Sequence, residues 1–222
     1  MNQKNDQWDG YFSRHYQTKF DKTDILRAQN FMHGQLKILN KISPFYKDDS
    51  VLEIGCALGA FIETLKQSGV KNISAIELDE YAAEHVRKTQ DVEVSTSKIM
   101  DYGSDQLFDK IYAFEVLEHL DDPIRDIEKI YHLLKPGGHF ICSSPYPFKR
   151  SISSDESHLF VLHPDNWQRL FVNAGFSVKL SRPATGLPFA YRLNQILSVY
   201  FKFYMPILPL VSTTLFVLQK KE

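Results

Sequence analysis

The chain has 222 residues, 43% of them apolar, and a net charge of −1. That size and balance fit one domain with a sizeable core. With no basic stripe, a nucleic-acid partner has no electrostatic support, and the polar N-terminus lacks the apolar core of a secretory signal. Cys56 and Cys142 belong to no Cys-x-x-Cys or Cys/His pattern, so neither a metal site nor thiol redox work is expected, and a cytoplasmic setting fits. There is no internal repeat or low-complexity segment, and no oligomeric state is specified.

Residues 1–20 are polar and aromatic, with Trp8, Tyr11, Phe12, His15, Tyr16 and Phe20. Asp24 to Lys41 reads as an amphipathic helix: Asp24 supports its start, and Ile25, Phe31, Leu36, Leu39 and Ile42 supply much of its apolar content. From Ser50 strand and helix patterns alternate, which implies βαβ units and a mainly parallel sheet. Strands are expected near 50–55, 72–77, 92–95, 109–114 and 138–143, with Phe176–Leu180 and Thr213–Leu218 as the last two. Helices are expected near 59–68, 79–89, 123–134 and 164–174. Residues 187–211 are apolar and aromatic, but Arg192, Lys202, Pro206 and Pro209 interrupt them. A transmembrane span needs about 20 predominantly apolar residues, so this stretch reads as a helical insertion packed on the core. The alternative is a lid over an apolar substrate, or a membrane-surface contact.

The stretch Val51 to Phe61 (VLEIGCALGAF) is a buried strand, a small-residue turn and the start of a helix. Open α/β sheets bind ligands at this edge. A dinucleotide fingerprint wants a glycine where Ala57 stands, so a pyrophosphate fits poorly. Glu77 ends the next strand, about 20 residues beyond Gly55, where a carboxylate can accept both hydroxyls of a ribose. FDKIYAFEVLEHLDDP (108–123) reads as a strand, a loop and a helix start at Pro123 behind Asp121 and Asp122. In LLKPGGHFI (133–141) a helix ends, Pro-Gly-Gly turns the chain and a strand begins.

In that order the four segments resemble the class I S-adenosylmethionine-dependent methyltransferases, and EVLEHL is similar to the subgroup acting on small molecules. Glu156-Ser157-His158-Leu159-Phe160 through Asn173-Ala174-Gly175-Phe176 also looks like that subgroup, so the likeness runs from about 50 to 180. It implies a Rossmann-like, doubly wound, mainly parallel seven-stranded sheet with helices on both faces and an antiparallel last strand. The expected layout is a lid and helix over 1–45, a cofactor-binding core over 46–182, the insertion over 183–211 and the last strand over 212–222.

The resemblance implies S-adenosyl-L-methionine as cofactor and S-adenosyl-L-homocysteine as product. Gly55, Cys56, Ala57 and Gly59 would pass under the methionine portion, the two glycines keeping that path clear. Glu53 either orders the turn or faces the cofactor's ammonium group. Glu77 would hold the ribose and Leu78 would cover the adenine. Ser97 and Lys98 stand where the family often has an acidic adenine partner, which puts that contact on Ser97, on backbone amides or on Asp101. Phe114 and Glu115 close the fourth strand on the cofactor, and Tyr11 or Tyr16 would fold over it.

A hydroxyl acceptor benefits from a base, and histidine titrates near neutrality. His158 is the leading candidate, with His119 and Tyr146 beside it. His119 alternatively braces its loop, and His163 alternatively starts a helix. The reading is methyl transfer to a small-molecule hydroxyl oxygen of a quinone precursor, sugar or lipid-like acceptor. The alternatives are carbon or nitrogen methylation, or a non-catalytic protein that binds the cofactor. Ala57 and LLKPGG count against a nicotinamide oxidoreductase.

Overall fold

The computed structural model describes residues 22–153, 156–186, 200–204 and 211–222. Strand β1 (Ser50–Ile54) is buried along its whole length. A near-continuous apolar run does this when helices cover both faces of a parallel sheet. β1 pairs in parallel with β2 (Asn72–Ile76) on one side and β4 (Phe108–Phe114) on the other, Leu52 lying opposite Ser74 and Ile111. β3 (Glu93–Ser95) extends the β2 side, β5 (Leu134–Pro145) the β4 side. β6 (Ser177–Gly186), β7 (Tyr200–Phe201) and β8 (Val211–Gln219) complete the order β3-β2-β1-β4-β5-β8-β6-β7. β8 runs antiparallel to both β5 and β6, with Val217 opposite Ile141 and Leu180. The order turns back between β1 and β4, and a crevice opens beyond their carboxyl ends at such a reversal.

Side chains alternate across the sheet and build two cores. Leu52, Ile54, Phe108 and Phe140 pack with Trp167 and Phe171 under α4 (Pro123–Leu133) and α6 (Pro164–Asn173). Val51, Tyr112, Ile141 and Leu215 face α1 (Lys22–Leu39), α2 (Ala60–Gln67) and α3 (Glu80–Gln90). Leu36 and Leu39 of α1 are buried as expected, while Ile42 lies beyond the helix and is 40% exposed. Caps set the helix starts: Asp79 accepts from the Ala82 N–H at 3.0 Å, and Asp122 accepts from the Arg125 N–H at 3.2 Å with Pro123 behind it.

The structure departs from the sequence reading in three places. The turn expected at Pro136-Gly137-Gly138 is an irregularity inside β5, because Leu134 already pairs with Phe108 before the register shifts and His139 pairs with Lys110. A short helix, α5 (Lys149–Ser153), follows β5. The insertion expected over 183–211 lies largely outside the described residues. Within it, 183–186 continue β6 and Tyr200–Phe201 pair with Thr185 and Gly186, so these parts are extended, not helical. The β8 partner supplies backbone hydrogen bonds to those β6 residues. That tertiary pairing overrides the helical appearance of the segment.

Candidate functional site

The β1–α2 turn is held to β2: the Gly55 N–H donates to the Ile76 carbonyl at 2.8 Å. Gly55, Ala57 and Gly59 have φ of 72°, 48° and 79°. Two of the three are glycine because a left-handed backbone strains other residues. The glycines also make room for neighbouring protein atoms. A Cβ on Gly55 would stand 2.5 Å from Val116 Cγ2, and one on Gly59 2.3 Å from Gln90 Nε2. Gln90 Nε2 donates to the Gly59 carbonyl at 2.9 Å, docking α3 against the turn. Gly55→Ala should therefore cost about 2 kcal/mol from strain and overpacking. In denaturant melts the change should couple to Val116→Ala, and strict additivity of the two would place the strain elsewhere.

Ala57 bears its positive φ while its N–H donates to Glu77 Oε2 at 2.8 Å, and the Asp79 N–H donates to Glu77 Oε1 at 3.0 Å. Glu77 is 6% exposed. Burial pushes its carboxyl up to about 7, with these amide donors pulling the other way. The sign follows: the native state holds a proton between pH 4.5 and about 7 that the unfolded chain has released. Stability from this group is thus present below that window and is lost as pH rises through it. Comparing unfolding free energies at pH 5 and pH 8, Glu77→Gln should show a smaller fall than the parent; equal falls would refute the raised carboxyl. Glu53, also buried, is held well above the usual carboxylate range by burial and by Glu77's charge.

Above the turn lies a cavity of about 400 Å³, within the size range of small-molecule sites. Gly55, Ala57, Glu77 and Leu78 line it, as do Lys98, Ile99 and Met100 from the β3 side and Phe114, Glu115, Val116, His119 and Leu120 from the β4 side. Lys98 also forms an ion pair with Asp121, joining the two sides. Of the sequence-predicted cofactor residues, Gly55, Ala57, Glu77, Leu78, Lys98, Phe114 and Glu115 thus come together on one wall system. Glu53, Cys56, Gly59 and Ser97 do not line it: Cys56 is buried beneath the turn, and Ser97 Oγ lies 2.8 Å from Ser95 Oγ. Tyr11 and Tyr16 lie outside the described residues. Asp101 is exposed on a 3₁₀ turn (Ile99–Asp101) and is not on the wall. Sequence reasoning missed Ile54, Ile76, Ile99, Met100, Val116 and Leu120, which give the cavity apolar surface. Leu120 directly follows EVLEH, which was the available signal; Ile99 and Met100 carry no motif.

The groups present suit S-adenosylmethionine. A buried carboxylate stands beside backbone amides at one part of the floor, and Leu78, Ile99, Met100 and Leu120 offer apolar surface for a purine. No phosphate has to be accommodated, so the Ala57 methyl is no obstacle.

The β4 end carries the other polar groups. Glu115 has φ of 53°, and its Oε1 accepts from Ser143 Oγ at 2.6 Å and Thr213 Oγ1 at 2.7 Å. Burial raises its carboxyl, opposed by those hydroxyls and by His158. His119 lies on a 3₁₀ turn (Leu117–His119), its Nδ1 3.0 Å from the Ser157 carbonyl. His158 Nδ1 is 2.8 Å from the Ser151 carbonyl, and the two imidazole rings are 4.8 Å apart. His119 therefore both braces its neighbouring loop and lines the cavity. Tyr146 packs its ring 3.8 Å from Tyr204 and 5.7 Å from His163. His163 caps α6, accepting from the Asp165 N–H at 3.3 Å.

A doubly wound sheet with a cavity of about 400 Å³ and a buried carboxylate at its reversal point fits the class of S-adenosylmethionine-dependent methyltransferases. The methyltransferase domain family matches residues 27–180, and the chain belongs to it. It is 27% identical over 150 residues to the ubiquinone biosynthesis O-methyltransferase of Vibrio vulnificus (strain YJ016), covering 59% of this chain and 60% of that protein. To the enzyme of the same name from Xylella fastidiosa (strain M23) it is 32% identical over 129 residues, covering 50% and 52%. The chain thus matches between half and two thirds of the length of these curated relatives. The N-methyltransferase NodS of Bradyrhizobium japonicum WM9, solved with S-adenosyl-L-homocysteine, shares the fold with a TM-score of 0.61 at 18% identity, covering 93% of this chain and 92% of that one. Among the described residues no helix is long and apolar enough to cross a membrane.

Proposed function

We propose that this chain transfers a methyl group from S-adenosylmethionine to a hydroxyl oxygen of a small molecule. The observation that carries the reading is an imidazole, His119, on the wall of the cavity that Glu77 also lines, with the His158 ring 4.8 Å behind it. The relatives named O-methyltransferases support the oxygen acceptor.

S-adenosylmethionine, when bound, supplies a methyl group on a sulfonium that a nucleophile displaces in line. The protein's part is alignment, exclusion of water and proton removal. Glu77 accepts the ribose hydroxyls, Leu78 and Met100 cover the adenine, and the Gly55–Ala57 backbone runs beneath the methionine portion. His158 takes the proton of the acceptor hydroxyl at Nε2, since its Nδ1 faces a carbonyl oxygen that can only accept. His119 and Glu115 hold the neighbouring wall.

The test is a screen of hydroxylated acceptors (quinone precursors, sugars and lipids) with methyl-labelled cofactor. The expected product is a methyl ether. A product methylated on nitrogen or carbon would replace the oxygen reading. Cofactor binding with no methylated product from any acceptor would favour a non-catalytic binding protein.

A further inference from the structure

We propose that the cleft between the end of α1, β6 and the residue after β7 is an anion site that takes a phosphate group. The site stands independently of the methyl-transfer reading.

The cleft has a volume of about 370 Å³. Lys37, Ile38, Lys41 and Ile42 line it from α1 and the turn that follows, Arg182 from β6, and Lys202 from just beyond β7. It shares no lining residue with the cavity above the β1–α2 turn. The chain keeps helical bonding past the end of α1: the Asn40 N–H donates to the Leu36 carbonyl at 2.8 Å, and the Ser43 N–H to the Leu39 carbonyl at 2.9 Å. Residues four apart therefore share a face, which places Lys37 with Lys41 and Ile38 with Ile42.

Four cations meet here, and no carboxylate lines the cleft. Among the described residues none of the four has an ion-pair partner. Arg182 Nε donates to the Pro183 carbonyl at 3.4 Å, and its two terminal nitrogens make no hydrogen bond. The surrounding sequence offers no counter-charge either. No Asp or Glu occurs between Asp24 and Asp48, or between Asp165 and Glu222. In a chain with 27 acidic and 26 basic residues, folding has brought two acid-free stretches together. His33, one turn before Lys37, registers the result: burial and the Lys37 ammonium both push its imidazole below its ordinary value. The negative end of the α1 dipole amounts to about half a charge, a small part of what four cations need.

Like charges gathered in a recess repel one another and focus a positive potential there. A bound anion removes that repulsion. Phosphate suits these groups, since its several oxygens can engage ammonium groups as point charges and a guanidinium as a planar fork. Ile38 and Ile42 add apolar surface; Ile42 is 40% exposed, and Phe203, next to Lys202, is 52% exposed. That mixture fits a phosphate carried on an apolar body. A lipid headgroup and a soluble phosphate ester present the same chemistry to it.

The test uses the full chain in two arms. Calorimetry with inorganic pyrophosphate reads the soluble source. Co-sedimentation with phosphatidylcholine vesicles, with and without phosphatidylglycerol, reads the lipid source. Binding is expected to weaken as salt rises. Lys37→Glu and Lys202→Glu, both at exposed positions, should each weaken it about tenfold. Lys129→Glu makes the same charge change on α4, across the sheet, and should match the parent. Thermal melts check that each variant folds. Vesicle binding that requires phosphatidylglycerol and falls in the first two variants would put the phosphate on a lipid. Pyrophosphate binding without vesicle binding would put it on a soluble molecule. No binding in either arm, equal binding in folded Lys37→Glu and Lys202→Glu, or an equal loss in Lys129→Glu would overturn the site. Attachment to phosphatidylcholine alone, with no pyrophosphate binding, would leave only an apolar contact and would overturn it too.

Discussion

Glu77→Ala is expected to weaken S-adenosylhomocysteine binding about 100-fold, roughly 2.7 kcal/mol. Above about pH 7, where Glu77 is ionised, the ribose hydroxyls would lose a charged acceptor, and hydrogen bonds to charged groups contribute about 1.5–3 kcal/mol each. The same change strips the Ala57 and Asp79 N–H groups of the oxygens they now reach at 2.8 and 3.0 Å. Those buried donors add a stability cost, and the turn that lines the cavity loosens with them. Glu77→Gln separates the two effects, because its amide oxygen can serve one of the two N–H groups while the ribose loses its carboxylate. Calorimetry reads the affinity and a thermal melt the stability. Unchanged affinity in folded Glu77→Ala would remove Glu77 from the ribose site.

His158→Ala is expected to lower kcat by about 10²- to 10⁴-fold, the range for losing a proton-transfer group, with cofactor affinity within about twofold of the parent. The separation follows from the geometry: His158 stands against His119 at 4.8 Å, and it is not among the residues lining the cavity floor. Steady-state kinetics with the acceptor found by the screen, beside S-adenosylhomocysteine calorimetry, makes the comparison. Full activity would take His158 out of the chemistry.

The β1 to β4 elements were legible because each pairs a short apolar run with a clear stop. Val51 to Ile54 is an unbroken buried run that ends at a glycine, and Asp122-Pro123 announces α4. Glu77 was legible from spacing alone, because a β-α-β unit of fixed length carries the second strand's tip to the first strand's turn. The purpose of Gly55 and Gly59 was not. Their missing Cβ atoms clear Val116 and Gln90, and those neighbours arrive from segments far along the chain. β5 and the 183–186 part of β6 were misjudged at their ends because pairing partners, not local preference, decide where an edge segment stays extended.

The order of elements, the class of cofactor and the place of Glu77 at the tip of β2 were determined by the sequence itself, since short-range hydrophobic period, turn chemistry and fixed motif spacing act within a few dozen residues. What the folded chain alone decided was the meeting of Glu115, Glu118 and His119 at the end of β4 with His158 from the loop after β5. Nothing local in either segment marks that encounter. It depends on the bond from the Phe160 N–H to the Glu118 carbonyl and on the contact of His119 Nδ1 with the Ser157 carbonyl, which form only once the sheet has set the two loops side by side.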